Sequence, residues 1–329
     1  MNSFGRLFRI EILGESHGVC VGILIDGCPA GVPVSEADFA FDLDRRKAGR
    51  PGTTARREDD VPRLMSGLFK GRTTGAPILV LFENRGADSK PYEQARYPRP
   101  GQADLAASAK FGGFNDYRGG GAFSGRLTAA LVAAGVVAKR LIHPVSVAAV
   151  LVAAGRSTDI EGAVAAAVRE GDSVGGVIEC RADGLPAGLG EPFFDSAESL
   201  LSHLVFSIPG IKGIEFGAGF AGSRMRGSEY NDIIERPTGE TATNNAGGIN
   251  GGLTNGNSLL FRVAVRPTAS ISKPQAYIDV ETGQLRELSL SGRHDACFAL
   301  RVPVIVEAAT AVVIADLMLL EQRILRIQR

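Results

Sequence analysis

Two turns of the same pattern constrain this chain more than any other feature. Asp26-Gly27-Cys28-Pro29-Ala30-Gly31 and Asp183-Gly184-Leu185-Pro186-Ala187-Gly188 both read DGxPAG and lie 157 residues apart. Each follows an apolar strand, Gly18–Asp26 and Gly175–Ala182, and each leads into a helix, Ser35 to about Arg46 and Ser196–Val205. A duplicated strand–turn–helix unit predicts two β-α-β halves built on one plan and packed together. No Ser/Pro/Gly-rich or charge-biased run separates them, so residues 1–329 read as one intertwined domain. The expected class is α/β (α+β), a sandwich with an internal pseudo-repeat.

Further elements fill in the plan. Leu7–Leu13 and Ala76–Glu83 read as strands, and Gly18–Asp26 is apolar enough to predict burial on both faces. Asn84 to Gly125 is a long loop region with a short helical piece near Leu105–Lys110, followed by a helix over Arg126–Leu141. The second half predicts strands at Val145–Ala153, near Gly213–Gly219 and at Ser258–Arg266, and a helix at Asp159–Glu170. Val304–Ile327 reads as a long amphipathic helix whose apolar face packs internally or against a partner chain.

Glycine supplies 42 of the 329 residues, against an ordinary share of about 7%, which implies many tight turns and close backbone approaches to ligands. The 36 basic and 36 acidic residues cancel, so there is no global field to draw nucleic acid or an anionic membrane. Arg6, Arg9 and Glu11 interrupt any N-terminal signal segment. The longest apolar stretch, Ala308–Leu320, carries Asp316 and is short for a bilayer span. Cys20, Cys28, Cys180 and Cys297 form no CxxC or metal-ligand cluster and read as reduced packing thiols. A cytoplasmic protein with no metal is expected.

Five segments carry possible chemistry. Gly14-Glu15-Ser16-His17-Gly18 sets a histidine beside a hydroxyl in a turn between strands, suited to protonating a leaving oxygen or binding a phosphate as well as to a plain turn histidine satisfied by backbone. Arg45, Arg46, Lys47, Arg50, Arg56 and Arg57 cluster at a helix end, where arginine forks suit carboxylates and phosphates as well as plain solvation. Arg99-Pro100-Gly101-Gln102-Ala103-Asp104 is followed by Arg118-Gly119-Gly120-Gly121, a glycine loop feeding a helix N-terminus. Asn244 to Gly252 holds paired glycines and leads toward Arg266-Pro267-Thr268-Ala269-Ser270. Gly292-Arg293-His294-Asp295 gathers three ionisable groups. No P-loop or Rossmann fingerprint is present. The residues alone point to anion binding, of a phosphorylated acid, without naming a reaction.

In this order the segments resemble the chorismate synthase family, whose motifs GESHG, DRR…RPG, TTGAPI, RPGxAD, RGGG, AGGIxGG, RPTxSI and GRHDxC run along nearly the whole chain. The resemblance implies a β-α-β sandwich core, a homotetramer, and reduced FMN (FMNH2) as cofactor, with NADPH the reductant in members that reduce their own flavin. It also implies 1,4-elimination of phosphate from the small-molecule substrate 5-enolpyruvylshikimate 3-phosphate, giving chorismate. His17, with Ser16 beside it, matches the histidine that assists phosphate departure. Arg46, Arg50, Arg99 and Arg126 match arginines that hold the substrate's anionic groups. Ser124, Gly251, Arg266, Pro267, Thr268, Ala269, Ser270 and Arg293 match flavin contacts, and Asp295 matches the aspartate that relays a proton at flavin N5.

Three departures fall on the flavin side. Gln102 stands where the family has a second active-site histidine, and an amide donates a hydrogen bond but carries no proton charge. The loop that reads RSSARET in the family is Ala122-Phe123-Ser124-Gly125-Arg126-Leu127-Thr128 here, and Arg266 replaces a lysine. Lys47-Ala48-Gly49 also shifts the arginine run. A lyase is the expected function; a non-catalytic paralogue that binds a shikimate-type phosphate or partners an active subunit is the alternative.

Overall fold

The computed structural model describes residues 2–54, 58–85, 98–289 and 294–328. The first half forms strands β1 (Ser3–Phe4), β2 (Arg9–Gly14), β3 (Cys20–Asp26), β4 (Arg63–Leu64) and β5 (Ile78–Glu83), in the sheet order β1-β2-β3-β5-β4. The second half forms β6 (Ser146–Ala154), β7 (Gly176–Asp183), β8 (Ile211–Phe216) and β9 (Leu259–Val265), in the order β8-β9-β7-β6. The helices are α1 (Ala37–Arg46), α2 (Asp104–Phe111), α3 (Thr128–Leu141), α4 (Ile160–Glu170), α5 (Ala197–Phe206) and α6 (Pro303–Leu320).

The duplication is visible in this order. In each half two antiparallel strands are followed by the DGxPAG turn, a helix, a short strand, and a strand that joins the central edge before a long helix. Thus β2, β3, α1, β4, β5 and α3 correspond to β6, β7, α5, β8, β9 and α6. The second half differs in placing α4 between its first two strands. Every ladder in both sheets is antiparallel, so the class is α+β, with no parallel crossover unit among the described residues. The two sheets enclose α3 and α6, α3 against the first sheet and α6 against the second.

Burial explains the central helices. Thr128 through Ala138 of α3 and Val304 through Leu317 of α6 are all buried. The expected amphipathic helix to Ile327 therefore ends at Leu320 and is enclosed all round, because sheet and helix cover it on every side. It is long and apolar enough to cross a membrane by length and composition, yet 83% of it is buried in the fold. The helices cross at Gly135, where a Cβ would lie 2.3 Å from the Ala308 Cβ and 2.5 Å from its Cα. Only a residue without a side chain permits that approach.

Two acids on α6 are buried with partners. Asp316 accepts the amides of Arg6 (2.9 Å), Leu7 (2.7 Å) and Phe8 (2.8 Å), tying down the β1–β2 turn. Glu307 accepts both Arg45 forks at 2.7 and 2.5 Å, Lys139 at 2.8 Å and the Ala149 amide at 3.0 Å. Burial pulls the Glu307 carboxyl up, and the Arg45 hydrogen bonds and Lys139 outweigh it, leaving the group lowered. Arg45, half-buried at the edge of the core, is thus committed to Glu307.

β3 is not buried on both faces. Val21, Ile23 and Ile25 are buried toward α3, while Cys20, Leu24 and Asp26 are half-buried on the outside with Leu13, Leu79 and Leu81. An antiparallel sheet covered on one side alternates in this way. Ser35 does not cap α1 with its hydroxyl. Its amide and hydroxyl instead donate to Asp38 Oδ2 at 2.7 and 3.0 Å. Ser196 and Asp159 do cap α5 and α4, accepting from Ser199 N at 3.1 Å and Gly162 N at 3.0 Å.

Candidate active site

A cleft of about 270 Å3 opens where loops of both halves meet. The first half supplies Arg46, Lys47 and Ala48 at the end of α1, then Thr54, Glu58 and Asp60, residues between Arg99 and Ala107, and residues between Asn115 and Arg126. The second supplies Pro209, Gly210, Arg266 to Ser270, and His294, Asp295, Phe298 and Arg301.

The triple glycine is dictated by two close approaches. Gly119, Gly120 and Gly121 have φ of +58°, +84° and +52°, and a Cβ on Gly121 would lie 2.0 Å from the Asp116 carbonyl oxygen. A Cβ on Gly119 would lie 2.4 Å from His17 Nε2 and 3.0 Å from Ser16 Oγ. Ser16 is buried, and its amide donates to the Gly121 carbonyl at 3.1 Å. His17 and Ser16 are not themselves part of the cleft lining. Gly119 is, and its missing side chain lets the imidazole come up against that wall. Asp116 takes both Arg118 forks, which hold it below its ordinary value, and it also feels the charge of His17.

Arg46 and Arg126 are joined through one carboxylate. Asp60 has no exposed side-chain surface and a φ of +47°, and it accepts Arg46 Nη1 at 2.7 Å on one oxygen and Arg126 Nη1 on the other. Arg46 also donates to Thr128 Oγ1 at 3.1 Å and to the carbonyls of Gly125 and Arg126, both at 3.3 Å. Burial pulls its guanidinium down to about 9, opposed by Asp60, so it stays cationic at neutral pH. Arg126 adds Asn84 Oδ1 at 3.0 Å and sits 3.9 Å from Glu58. These two arginines, matched above to substrate contacts, are thus tied into the protein itself, because a buried guanidinium needs internal acceptors.

The other assigned arginines separate. Arg99 lines the cleft and grips Asp104 through Nε and Nη2 at 2.8 and 2.7 Å. Arg50 is exposed and is not in the cleft lining; its carbonyl closes a turn with Thr53 N at 3.0 Å and Thr53 Oγ1 at 2.7 Å. Of the remaining cluster, Lys47 pairs with Asp44 at 2.7 Å, and Arg56 and Arg57 lie outside the described residues.

The segment from Arg266 to Ser270 enters the cleft entire. Gln102 Nε2 donates to Ser270 Oγ at 3.2 Å, and a Cβ on Gly101 would lie 3.1 Å from Ala269 Cβ, so the two loops abut. Ser124 lines the cleft while its hydroxyl caps the 3₁₀ turn Gly125–Leu127, accepting Arg126 N at 3.3 Å. Gly251 does not line the cleft. It forms the turn of a hairpin between Ile249–Asn250 and Leu253–Thr254, which accounts for its φ of +60°. Arg293 lies outside the described residues.

Asp295 accepts the Thr54 amide at 2.7 Å and pairs with Arg301 Nη1 at 3.3 Å. His294 beside it is lowered by burial and then by Arg99. Sequence reasoning missed Asp60 and Arg301. The Glu58-Asp59-Asp60 run straight after the arginine cluster was a signal for the first; nothing local marks the second.

The chorismate synthase family model matches residues 8–319. A chorismate synthase of Chitinophaga pinensis is 58% identical, over 98% of both chains. One from Archaeoglobus fulgidus is 44% identical, over 98% of both. A solved structure titled as the crystal structure of chorismate synthase aligns with a TM-score of 0.76 and 25% identity, over 97% of this chain and 93% of that one. The match runs through both sheets, both central helices and the cleft loops, and this chain belongs to the chorismate synthase family of carbon–oxygen lyases.

Proposed function

We propose that the cleft performs the anti-1,4-elimination of phosphate from 5-enolpyruvylshikimate 3-phosphate, giving chorismate, with reduced FMN as cofactor. The observation that carries this reading is the convergence on one cleft of cations for a polyanion, a histidine at its wall and an aspartate opposite in sequence, Asp295. Lys47, Arg99 and Arg266 supply charge for the substrate's two carboxylates and phosphate. Arg46 and Arg126 also line the cleft, where Asp60 fixes them and they add positive charge toward the substrate's anionic groups. His17 donates a hydrogen bond to the departing phosphate oxygen, with Ser16 beside it. Asp295 carries away the proton released at C6.

The residues present fit a flavin. Thr268 lines the cleft with its hydroxyl oxygen buried and unpartnered, and a buried polar atom of that kind calls for a ligand acceptor or donor. Ser270, Gln102, Ser124 and Arg266 surround the same region as hydrogen-bond donors suited to a polar ring edge or a phosphate. Bound there, reduced FMN supplies transient electron density to an elimination with no net redox change. Gln102 gives the site a neutral donor in place of an imidazole.

The assembly we propose is a cytoplasmic homotetramer. The half-buried row Leu13, Leu24, Leu79 and Leu81 and the exposed Phe193 and Phe194 supply apolar surface for association. Retention of His17 and Asp295 favours the lyase over a silent paralogue, and calorimetry separates the two. The lyase reading requires FMN to bind, and to bind more tightly when the substrate phosphate is present. Substrate binding without any FMN binding would establish the paralogue.

A further inference from the structure

The geometry points to Arg301 as a positioning residue that holds Asp295 in place and ties it to the arginine-bearing loop. This rests on the proton-carrying reading of Asp295 above. Arg301 occupies the last residue of a 3₁₀ turn, Phe298–Arg301, ahead of α6. It is mostly buried, with 14% side-chain exposure, and works in two directions at once. Nε donates to the Arg46 carbonyl at 2.8 Å, at the C-terminal end of α1, and Nη1 reaches Asp295 Oδ2 at 3.3 Å. The other oxygen of Asp295 accepts the Thr54 amide at 2.7 Å, and the Cys297 amide donates to the Gly52 carbonyl at 3.0 Å. Three contacts therefore clamp the 46–54 loop to the 295–301 segment, and Arg301 and Asp295 between them make two of the three.

A fork is needed here because the two acceptors belong to different halves of the chain, and one planar guanidinium spans both. A carboxylate held on both oxygens by fixed donors keeps its remaining lone pairs aimed in one direction, which is what a proton carrier in a cleft requires. Phe298, on the same turn, lines the cleft beside Gly125 and Gly210, so the turn that fixes Asp295 also shapes the wall.

The test compares Arg301→Gln, Arg301→Lys and Asp295→Asn with the wild-type chain. Arg301→Gln is expected to lower kcat about 10- to 100-fold, as misplacing a catalytic group does, with substrate KM within about twofold. Arg301→Lys should recover at least about tenfold over the glutamine variant. A second readout needs neither flavin nor substrate. In the ligand-free protein the Thr54 amide should exchange with deuterium faster in Arg301→Gln and in Asp295→Asn alike. Unchanged kcat, a loss confined to KM, or Thr54 exchange that stays slow in Arg301→Gln would overturn the assignment. If Arg301→Gln does not fold, the lysine variant decides. Slow Thr54 exchange with turnover within about tenfold of wild type supports the pairing, and fast exchange with full turnover overturns it. Asp295→Asn separates the two layers. Full turnover in that variant removes the proton role and the positioning role with it, whereas an inactive Asp295→Asn beside a fully active Arg301→Gln removes the positioning role alone.

Discussion

Both central helices are entered through a 3₁₀ turn that opens on the cleft, Gly125–Leu127 before α3 and Phe298–Arg301 before α6. In both an arginine stands two residues ahead of the helix, Arg126 and Arg301. Each pairs with an acid, Asp60 or Asp295, and each is linked to Arg46, which donates to the Arg126 carbonyl and whose own carbonyl accepts from Arg301. The first pair is sealed: Asp60 has no exposed side-chain surface and serves two guanidiniums. The second is looser, with Asp295 at 12% exposure and a 3.3 Å contact. The same backbone plan has yielded a structural strut on one side and a group open to chemistry on the other. The corresponding helices differ likewise: α1 ends in Arg45 and Arg46, whereas α5 ends in Val205 and Phe206. Duplication set the frame, and the loops of unequal length that precede the helices set the function.

That contrast breaks most readily at Asp60. Asp60→Asn leaves two buried guanidiniums without their shared anion and is expected to cost about 3–5 kcal/mol in denaturant unfolding. Asp295→Asn should cost far less, because its partner reaches solvent, and equal losses would erase the distinction. On the flavin side, Gln102→His should raise turnover, by as much as roughly 100-fold if the imidazole regains a proton-bearing role. No gain with FMN still bound would show that another group fills that role. At the helix crossing, Gly135→Ala should destabilise by about 1–3 kcal/mol through overpacking against Ala308, although alanine is favoured in helices by about 1 kcal/mol. A stabilised variant would mean the helices can separate at no cost.

The smallest effect concerns pH. Burial lowers the His294 pKa in the folded state, so the unfolded chain binds the proton more readily. The sign follows from linkage. Stability is present at neutral pH and declines as pH falls through the ordinary histidine value of 6.5. His294→Gln should flatten the stability profile between neutral pH and pH 5, measured by melting at a series of pH values.

The frame was legible because the DGxPAG turns and the period-two apolar strands report local geometry directly. Most strand and helix boundaries fell within a few residues for the same reason, the exception being the last helix, which stops at Leu320 rather than Ile327. Full enclosure of α6 was not legible, since an all-apolar helix shows no stripe to say what covers it. The site was partly legible. The Gly119–Gly121 run marked a close approach, and the structure supplies its cause, the His17 ring. The fate of the arginines could not be read, because whether a guanidinium faces a ligand or a carboxylate depends on residues far along the chain. Arg46 finds Asp60 and Thr128, and Arg45 finds Glu307, pairings that sequence spacing does not encode.

Elimination of phosphate from 5-enolpyruvylshikimate 3-phosphate is the reaction we propose for the cleft. It is tested most directly by an anaerobic assay with chemically reduced FMN, following chorismate absorbance, on the wild type and on His17→Ala. Chorismate is expected from the wild type, at a rate about 10²–10⁴-fold above that of His17→Ala. Absence of product at protein concentrations near that of the substrate, or an undiminished rate in His17→Ala, would contradict it.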